Sequence, residues 1–289
     1  MENSAKIGII GGSGFYKIEG LERISELSVD TPWGSPSDKY SLFNYEEKEI
    51  IFLPRHGRGH KLLPSEINYR ANIYGMKKLG VERIISVSAV GSYKQEIAPR
   101  DIVIVDQFFD RTKYTENNSF FGDGIVGHVS LAEPVCPVLS EVLYNALNQQ
   151  ELKVHQGGTY VNMEGPAFST KAESQFFKKM GMDVIGMTNM REARLAREAE
   201  ICFSTIALVT DYDAWHEELE PVSVPEVMAN LKASIESARA GIMSSLSNIP
   251  EKRECACATA LSSALMTDNN SISPESREKL SLLINKYLN

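Results

Sequence analysis

Short apolar runs rich in β-branched residues alternate along this chain with segments of helical spacing. Runs of that length and composition are typical of buried strands, and longer periodic segments are typical of helices. The apolar runs are 6–10, 50–54, 83–92, 102–106, 159–164, 183–188 and 201–213, and the main helical patterns are 65–79, 137–150, 170–180 and 191–200. This alternation predicts an α/β architecture in which a central mixed, largely parallel sheet is flanked by helices.

The domain organisation is predicted from linker and repeat patterns. The sequence has no internal repeat and no linker rich in Pro, Gly or Ser, so residues 1–289 are expected to form a single domain with a C-terminal helical extension from about residue 250. The extension is predicted to contain a small-residue helix around 255–266 and a final helix that begins near Ser273. Apolar residues recur in that final helix at the spacing of a docked face, at Leu280, Leu283, Ile284 and Tyr287.

The charge of the chain excludes several classes of function. Its formal net charge of −8 at pH 7 argues against a general binder of nucleic acids or membrane surfaces, but allows a local basic pocket for a small anion. No apolar run reaches the roughly 18 residues of a membrane-spanning helix, and residues 1–4 have no signal-peptide character. We therefore expect a cytoplasmic protein that binds neither nucleic acid nor membrane.

Two carboxylates, Asp211 and Asp213, end the apolar run 201–213. Because strand side chains repeat with period two, both point to the same side if the extended conformation continues to Asp213. Neighbouring carboxylates repel, so one of them resists ionisation and can donate a proton near neutral pH. The same pattern is also typical of an Asp-rich turn that closes a strand by accepting backbone N–H bonds.

A glycine-rich turn follows the first apolar run. Its glycines would let backbone N–H groups converge on an anion, and the Ser13 hydroxyl is a further donor. The turn matches the dinucleotide-binding fingerprint only loosely, because Lys17 stands where the third glycine belongs and no convincing helix follows. A purely structural turn is the alternative.

A basic segment, residues 55–60, directly follows the apolar run 50–54. Arginine suits bidentate recognition of a tetrahedral oxyanion, and a neighbouring histidine can donate further hydrogen bonds, so Arg55 and His56 are candidate anion ligands. The glycines of this segment leave space for a ligand against the backbone. The alternative is a solvated basic loop.

Polar residues collect at the predicted strand ends, where open α/β sheets bind their ligands. The candidates at these ends are Ser13, Arg55, His56, Ser88, Thr188, Asp211 and Asp213. Together they combine donors for an anion with a pair of carboxylates. This combination fits phosphorolysis of an N-glycosidic bond, in which phosphate attacks the anomeric carbon while a carboxyl group protonates or hydrogen-bonds the departing base.

Cys255 and Cys257 are separated by one residue in a chain that has four cysteines. So few cysteines argue against a disulfide-rich secreted protein. The close pair could chelate a metal or form a redox pair, but no second close pair of Cys or His supplies the other ligands of a closed zinc site. The alternative is that both are small buried residues on a helix, and no metal site is expected.

Several motifs occur together and in order between Lys6 and about Ser247. They are Gly8-Ile9-Ile10-Gly11-Gly12-Ser13-Gly14, Pro54-Arg55-His56-Gly57, Asn68-Tyr69-Arg70-Ala71-Asn72, Glu164-Gly165-Pro166-Ala167-Phe168-Ser169-Thr170, Met187-Thr188 and Thr210-Asp211-Tyr212-Asp213. In this combination the chain resembles the purine nucleoside phosphorylases of the trimeric kind. The resemblance implies a homotrimer that uses inorganic phosphate as co-substrate and has no metal or organic cofactor.

The resemblance also implies a role for each candidate residue. Phosphate would be bound by Ser13, Arg55, His56, Ser88 and Thr188, and the nucleoside by Ala89, Phe168, Ile185 and Met187, with Phe168 stacked on the purine and Met187 at the ribose hydroxyls. Asp211 and Asp213 would face N7 and the exocyclic amine. Since carboxylates accept hydrogen bonds from an amine, adenine is the favoured base.

The group at the 5′ position of the ribose is the remaining part of the substrate. The resemblance places Val224, Val227 and Met228 in an apolar 5′ pocket and His128 at a neighbouring subunit's site. An apolar pocket fits a methylthio group better than a hydroxyl. The expected reaction is therefore phosphorolysis of S-methyl-5′-thioadenosine to adenine and 5-methylthioribose 1-phosphate. Without the resemblance, these three apolar residues would be assigned to a helix core.

Alternative functions are open at this point. They are a broader purine nucleoside phosphorylase acting on adenosine or 6-oxopurine nucleosides, a nucleosidase that uses water, a dinucleotide-binding protein and a non-catalytic nucleoside-binding protein. The chain also departs from the family at Ala167, where a basic residue is expected, and at Asn189-Met190-Arg191. Both departures flank the predicted nucleoside pocket, so they bear on its specificity.

Overall fold

The computed structural model describes residues 6–12, 21, 23–46, 48–113, 118–150, 152–216 and 223–288. The strands are β1 (Lys6–Gly11), β2 (Arg23–Leu27), β3 (Tyr40–Tyr45), β4 (Lys48–Pro54), β5 (Val81–Ser92), β6 (Ile102–Val105), β7 (Gln107–Asp110), β8 (Val154–Gln156), β9 (Thr159–Asn162), β10 (Val184–Gly186) and β11 (Cys202–Asp211). The α-helices are α1 (Tyr69–Lys78), α2 (Pro137–Asn148), α3 (Lys171–Lys179), α4 (Asn189–Glu198), α5 (Val224–Asn248) and α6 (Pro274–Ile284). Among these described helices, none has the length and apolar character needed to cross a membrane.

The sheet branches at β5. This strand pairs in parallel with β1 and with β11, and its last residues pair antiparallel with β10. One path runs in the order β2-β3-β4-β1-β5-β10-β9-β7, while β11 continues through β6 to β8. Parallel pairing dominates the centre, whereas β2, β3 and β4 form an antiparallel edge and β6 lies antiparallel to β11. The predicted mixed, largely parallel sheet flanked by helices is confirmed.

The register of the central strands brings their carboxyl ends to one edge of the sheet. Gly11 of β1 lies beside Pro54 of β4 and Val87 of β5. Further along β5, Gly91 lies beside Asp211 at the end of β11. Polar residues that end or directly follow these strands therefore meet at this edge, although they are far apart in the sequence.

Alternate side chains of β11 enter different layers of the core. Phe203 belongs to a cluster with Ile73 of α1 and Leu195 of α4, whereas Ile206 belongs to a cluster with Leu143 of α2. A strand covered on both faces needs a continuous apolar sequence, which explains the composition of this run. Because nine of the ten residues of β11 are buried, the strand fixes the place where Asp211 emerges at the sheet edge.

Helix α1 begins later than residue 65, where the helical pattern of the sequence starts. The cap is Asn68, whose side chain accepts a hydrogen bond from the backbone N–H of Ala71. Between the apolar run 102–106 and the helical pattern 137–150, where no strand was predicted, the chain contains β7, which pairs in parallel with β9. The pairing partner of β7 lies about fifty residues further along the chain, so the local sequence gave no indication of this strand.

The predicted small-residue helix around 255–266 is not an α-helix. A short 3₁₀ helix, Ala256–Thr259, is followed by turns. Contacts to distant residues hold this segment, since the backbone N–H of Leu261 donates to the buried carboxylate of Glu200 at 3.0 Å. Tertiary contacts therefore override the local helix propensity of the alanines.

Candidate functional site

A cavity of about 420 Å³ lies at the carboxyl edge of the central strands. Its lining includes most of the predicted site residues: Arg55, His56, Ser88, Ala89, Phe168, Ile185, Met187, Thr188, Asp211, Asp213, Val224, Val227 and Met228. The lining also includes residues that were not predicted, among them His60, Leu63, Met163, Pro166 and Thr210. Ser13 falls outside the described residues. The cavity is of the size that small-molecule sites commonly have.

His128 is not part of this lining. Its side chain is exposed, and its backbone N–H donates to the carbonyl of Ala264 at 2.8 Å in the C-terminal extension. The neighbouring Gly127 forms an isolated bridge with Leu265. An exposed histidine on an anchored segment is accessible to a second subunit, and its role there stays a prediction.

Arg55 is buried at the cavity wall and is held by an acidic partner that was not predicted. Its Nε donates to Glu192 Oε1 at 2.5 Å, and its Nη2 donates to Glu192 Oε2 at 3.0 Å. Ser86 Oγ donates to the same carboxylate at 2.7 Å, and so does Asn189 Nδ2 at 3.1 Å. Although burial alone would lower it, the Glu192 carboxylate raises the pKa of the Arg55 guanidinium. The guanidinium is therefore charged and fixed in position.

Most donors of Arg55 are already in use. Besides Glu192, Nη2 donates to Ser86 Oγ at 2.6 Å and Nη1 donates to the Val87 carbonyl at 3.1 Å. A guanidinium has five N–H groups, so one on Nη1 remains for a ligand among the described contacts. A Cβ at Gly12 would lie 2.6 Å from Nη1, so only glycine allows the backbone at this position to pack this closely on Arg55.

His56 presents an acceptor rather than a cation. Its Nδ1 lies 2.8 Å from the carbonyl oxygen of Leu62, and a carbonyl only accepts, so Nδ1 carries the proton. Burial and the adjacent Arg55 charge lower the pKa of His56 to about 4. The ring is therefore neutral at pH 7, and Nε2 can accept a hydrogen bond from the P–OH group of a hydrogen phosphate.

Two hydroxyls and a helix terminus add neutral donors to the same wall. Ser88 and Thr188 are both buried, and Thr188 directly precedes α4 without using its hydroxyl to cap that helix. The N-terminus of an α-helix carries a partial positive charge that favours anions. Glu192 neutralises the charge of Arg55. Among the described residues, the groups that can bind a phosphate are therefore the hydroxyls of Ser88 and Thr188, the N-terminus of α4 and the remaining N–H of the Arg55 guanidinium.

Asp211 ends β11 and is held as a turn residue. Its Oδ2 accepts from the Thr210 hydroxyl at 2.7 Å, and its Oδ1 accepts from the Asp213 backbone N–H at 2.8 Å. Burial is the largest effect and raises the pKa of Asp211 to about 6, with repulsion from Asp213 and Glu226 acting in the same direction. Both interpretations of this residue therefore hold, since it closes the strand and also lines the cavity as a carboxyl that titrates near neutrality.

Asp213 does not continue the strand, so of the two conformations considered for this segment the turn is the one present. It begins a short 3₁₀ helix, Asp213–Trp215, with a positive φ of 49°. It nevertheless lines the cavity, and its buried Oδ2 meets no donor in good hydrogen-bond geometry among the described residues. Burial raises its pKa as well, although the Ser174 and Ser169 hydroxyls interact with the carboxyl group and act to lower its pKa. A Cβ at Gly91 would lie 2.8 Å from Asp211 Oδ1 and 3.3 Å from the Asp213 Cβ, so the paired acids need a glycine beside them.

The rest of the lining is largely apolar. Val224, Val227 and Met228 lie at the start of α5 at positions i, i+3 and i+4, which share one helix face. Val224 is 62% exposed and Phe168 is 46% exposed. Large apolar side chains left open around a cavity are typical of a surface that a ligand or another subunit covers.

Comparison with known proteins identifies the family. The family model described as the phosphorylase superfamily matches residues 6–246. The chain belongs to the phosphorylase superfamily. An S-methyl-5′-thioadenosine phosphorylase of Geobacter sulfurreducens is 54% identical over 282 residues, which are 98% of this chain and 99% of that protein.

Solved structures of the phosphorylase superfamily have the same fold. A methylthioadenosine phosphorylase sourced from an Antarctic soil metagenomic library matches with a TM-score of 0.91 and 44% identity, over 98% of this chain and 99% of that one. A mutant adenosine/methylthioadenosine phosphorylase from Schistosoma mansoni, in complex with methylthioadenosine, matches with a TM-score of 0.84 and 33% identity, over 89% of this chain and 96% of that one. The predicted family is confirmed.

The residues that position Arg55 were not recognised from the sequence, because their contacts with Arg55 are long-range. Ser86 lies on β5 and Glu192 on α4, 137 residues from Arg55. One indication was available in the sequence. Glu192 occupies a position of its helix that faces the core, and a buried acid needs a partner. Asn189 and Arg191 were expected to flank the nucleoside pocket, but they are not among its lining residues and contact other protein groups, Asn189 the Ser86 hydroxyl and Arg191 the Glu164 carboxylate.

Proposed function

We propose that this phosphorylase-superfamily chain catalyses the phosphorolysis of S-methyl-5′-thioadenosine to adenine and 5-methylthioribose 1-phosphate. It is then a pentosyltransferase of purine and methionine salvage. The observation that carries this function is that one cavity is lined both by a buried anion-binding set, Arg55, Ser88 and Thr188, and by the carboxyl pair Asp211 and Asp213. Relatives of that printed name, 54% and 50% identical over almost their full length, support it.

Phosphate is the nucleophile of the proposed reaction. A phosphate oxygen forms a bond to the anomeric carbon as the bond from that carbon to purine N9 breaks, and the electrons of the broken bond move onto the base. We infer that Arg55, Ser88 and Thr188, with His56 and Ser13, hold the phosphate in line for this attack. Positioning two reactants in one cavity removes much of the entropic barrier.

Asp211 is the proposed acid. Its raised pKa of about 6 keeps part of the population protonated near neutrality, so the carboxyl group can donate to N7 as negative charge develops on the base. The buried Oδ2 of Asp213 is proposed to accept from the 6-amino group. No metal or organic cofactor is needed for these steps, because phosphate is a substrate and Asp211 supplies the proton.

The test is the phosphate-dependent release of free base from S-methyl-5′-thioadenosine, run beside adenosine and inosine. We expect adenine to appear only when inorganic phosphate is present, and fastest from the methylthio substrate. Equal rates without phosphate would indicate a nucleosidase, and rapid cleavage of inosine would indicate a broader purine nucleoside phosphorylase. No cleavage of any of the three would leave a nucleoside-binding protein.

The Val227→Thr variant tests the proposed 5′ pocket, because threonine keeps the shape of valine but replaces a methyl group with a hydroxyl. We expect the ratio of kcat/KM for the methylthio substrate to that for adenosine to fall about fivefold, since a hydroxyl beside the methylthio group costs about 1 kcal/mol of apolar contact. Val142→Thr, on α2 outside the cavity lining, is the matched control. An unchanged ratio in both variants would contradict the assignment.

We further infer that the chain works as a homotrimer in which His128 reaches a neighbouring cavity. The exposure of His128, and the open apolar side chains of Val224 and Phe168 at the cavity, support this arrangement. Light scattering measures the assembly directly. Mixed trimers of His128→Ala and Asp211→Asn chains should be more active than either variant alone. In such trimers some sites combine an intact Asp211 with the intact His128 of a neighbouring subunit. A mixture that is no more active than the separate variants would contradict a shared site.

A further inference from the structure

The four cysteines of the chain converge at one point, which the proposed reaction does not use. The Sγ atoms of Cys136, Cys202, Cys255 and Cys257 all lie within 4.8 Å of one another. Cys136, Cys202 and Cys257 are buried, and Cys255 is partly buried. Since β11 runs ten residues from Cys202 to Asp211, the cluster lies about 30 Å from the carboxyl pair, at the opposite end of the strand.

Three separate parts of the chain deliver these sulfurs. Cys136 directly precedes α2, and its backbone N–H donates to the Phe203 carbonyl at 2.8 Å, which places it beside Cys202 at the start of β11. Cys255 and Cys257 come from the C-terminal extension, where a 3₁₀ helix begins at Ala256. Cys255 and Cys257, which are close in the sequence, therefore lie next to a second pair of cysteines, Cys136 and Cys202, in the core. The sequence alone did not show this proximity.

The spacing of the sulfurs suits a tetrahedral ion. Zinc–sulfur bonds of about 2.3 Å in a tetrahedron place the sulfurs about 3.8 Å apart. In this cluster the Cys202 and Cys255 sulfurs are 3.3 Å apart, and all other pairs are within 4.8 Å. Four thiolate ligands leave no open coordination position, which is the arrangement of structural rather than catalytic zinc sites.

The surroundings favour such an ion electrostatically. Three of the four sulfurs are buried and all lie within 4.8 Å of one another, so thiolates at these positions would repel one another at close range. Without a cation, then, the buried sulfurs oppose one another's ionisation. A divalent ion removes that opposition because it pairs with every thiolate at once.

Cations beside the cluster offset the net charge of −2 that a divalent ion with four thiolates carries. Arg197 Nη1 donates to Cys257 Sγ at 3.6 Å. A small cavity that reaches Cys136, Cys202 and Cys255 is also lined by Lys252, by the acid Glu254, and by Arg83 and Arg253, which both pair with Glu82. Side chains that donate to metal-bound sulfur and balance its charge are typical of a built metal site.

We propose that Cys136, Cys202, Cys255 and Cys257 bind one thiophilic divalent ion, Zn²⁺, which links the C-terminal extension to the start of β11. On binding, the sulfurs exchange their remaining thiol protons for bonds to the metal, and the protons pass to solvent. No sulfur is oxidised or reduced. The ion is structural, so phosphorolysis does not require it as a reactant.

Cobalt(II) is the probe, because its tetrahedral thiolate complexes absorb visibly whereas zinc complexes do not. Reduced protein, stripped of metal under anaerobic conditions, is titrated with Co²⁺ and then with Zn²⁺. We expect thiolate-to-cobalt charge-transfer bands that saturate at one ion per chain, that disappear on addition of Zn²⁺ and that are lost in Cys257→Ser. Met266→Ser, an exposed position of the same extension, should titrate like the original chain.

Thiol counting on protein isolated in air without reductant separates a metal site from disulfides. Four thiols that react only after a chelator is added, with a lower melting temperature after metal removal, would support the zinc site. Two disulfides in the isolated protein would overturn it. Four freely reactive thiols, or cobalt spectra that are the same in Cys257→Ser, would overturn it as well.

Discussion

Replacing Asp211 with Asn is expected to lower kcat/KM for S-methyl-5′-thioadenosine by about 10²- to 10⁴-fold, the usual contribution of a general acid. The amide keeps the shape of the side chain but has no acidic proton to donate to N7. The neighbouring Thr210 can accommodate the amide. The Thr210 hydroxyl can donate to the Val90 carbonyl, which lies 3.1 Å away, and accept a hydrogen bond from the amide of the new Asn side chain. Steady-state kinetics with separate titration of phosphate measures the effect.

Asp213→Asn is the matched control, two residues away in the same cavity. Its proposed role is hydrogen bonding to the 6-amino group, and the asparagine oxygen can still accept from that group, so we expect a smaller loss, on the order of tenfold or less from the weakening of one hydrogen bond. Phosphate affinity should stay within a few-fold of the original in both variants. Turnover that is unchanged in Asp211→Asn would rule out Asp211 as the acid.

The pH dependence of the reaction follows from the same group. Because burial raises the pKa of Asp211 to about 6, the proton is present below that pH and is lost as pH rises through it. The nucleoside kcat/KM should therefore fall on the alkaline side with an apparent pKa near 6, and this limb should be absent from Asp211→Asn. A profile that is identical in both proteins would contradict the assignment.

The Asp211→Asn substitution should increase the free energy of unfolding although it lowers the activity. A carboxyl group whose pKa rises on folding stabilises the fold at low pH, and that contribution is lost as pH rises from the unfolded value of 3.8 to about 6. At pH 7.5, Asp211→Asn removes the cost of a buried charge, and we expect it to be more stable than the original by about 1–3 kcal/mol. Near pH 4 the gain should vanish. Urea unfolding at both pH values measures it.

Replacing Glu192 with Gln should cause the largest loss of stability, about 3–5 kcal/mol in phosphate-free buffer. Arg55 and Glu192 are each 1% exposed, and removal of one partner of a buried ion pair leaves the other charge uncompensated. Phosphate should recover part of the loss, because its negative charge replaces the missing carboxylate beside Arg55. Chemical denaturation at one fixed protein concentration, with and without phosphate, measures both effects.

Glu49→Gln is the control for a partly exposed ion pair. Glu49 pairs with Lys6 at 2.9 Å, and the two side chains are 36% and 27% exposed. Its loss should stay within about 1 kcal/mol, because solvent screens such pairs, and should not respond to phosphate. A cost of under about 1 kcal/mol for Glu192→Gln would show that Arg55 does not depend on this carboxylate.

The candidate site could be predicted where the functional residues sit at strand ends. Arg55 directly follows β4, and Asp211 ends β11, so a strand pattern and the rule that ligands bind at the carboxyl edge were enough to group them. For the chain after Asp211 the sequence allowed either an extended conformation or a turn, and the structure has a turn with a positive φ at Asp213. Turn geometry of this kind depends on the Asp211 side chain accepting the Asp213 N–H.

The edges of the sheet were harder to predict than its centre. β2 and β3 contain polar and half-exposed residues, so they lack the continuous apolar runs that mark the central strands. β7 is only four residues long and depends on β9 for its hydrogen bonds. Strands of this kind are defined by their partners, whereas β5 and β11 are defined by their own composition.

The sequence by itself determined the order of strands and helices, and with it the positions of Arg55, Thr188 and Asp211 at one edge of the sheet, because periodicity is a local property that each segment carries. Only the tertiary structure decided the pairing of Arg55 with Glu192, the raised pKa of Asp211 and the meeting of Cys136 and Cys202 with Cys255 and Cys257. These properties depend on removal of water and on partners far away in the chain, so they do not exist until the segments pack.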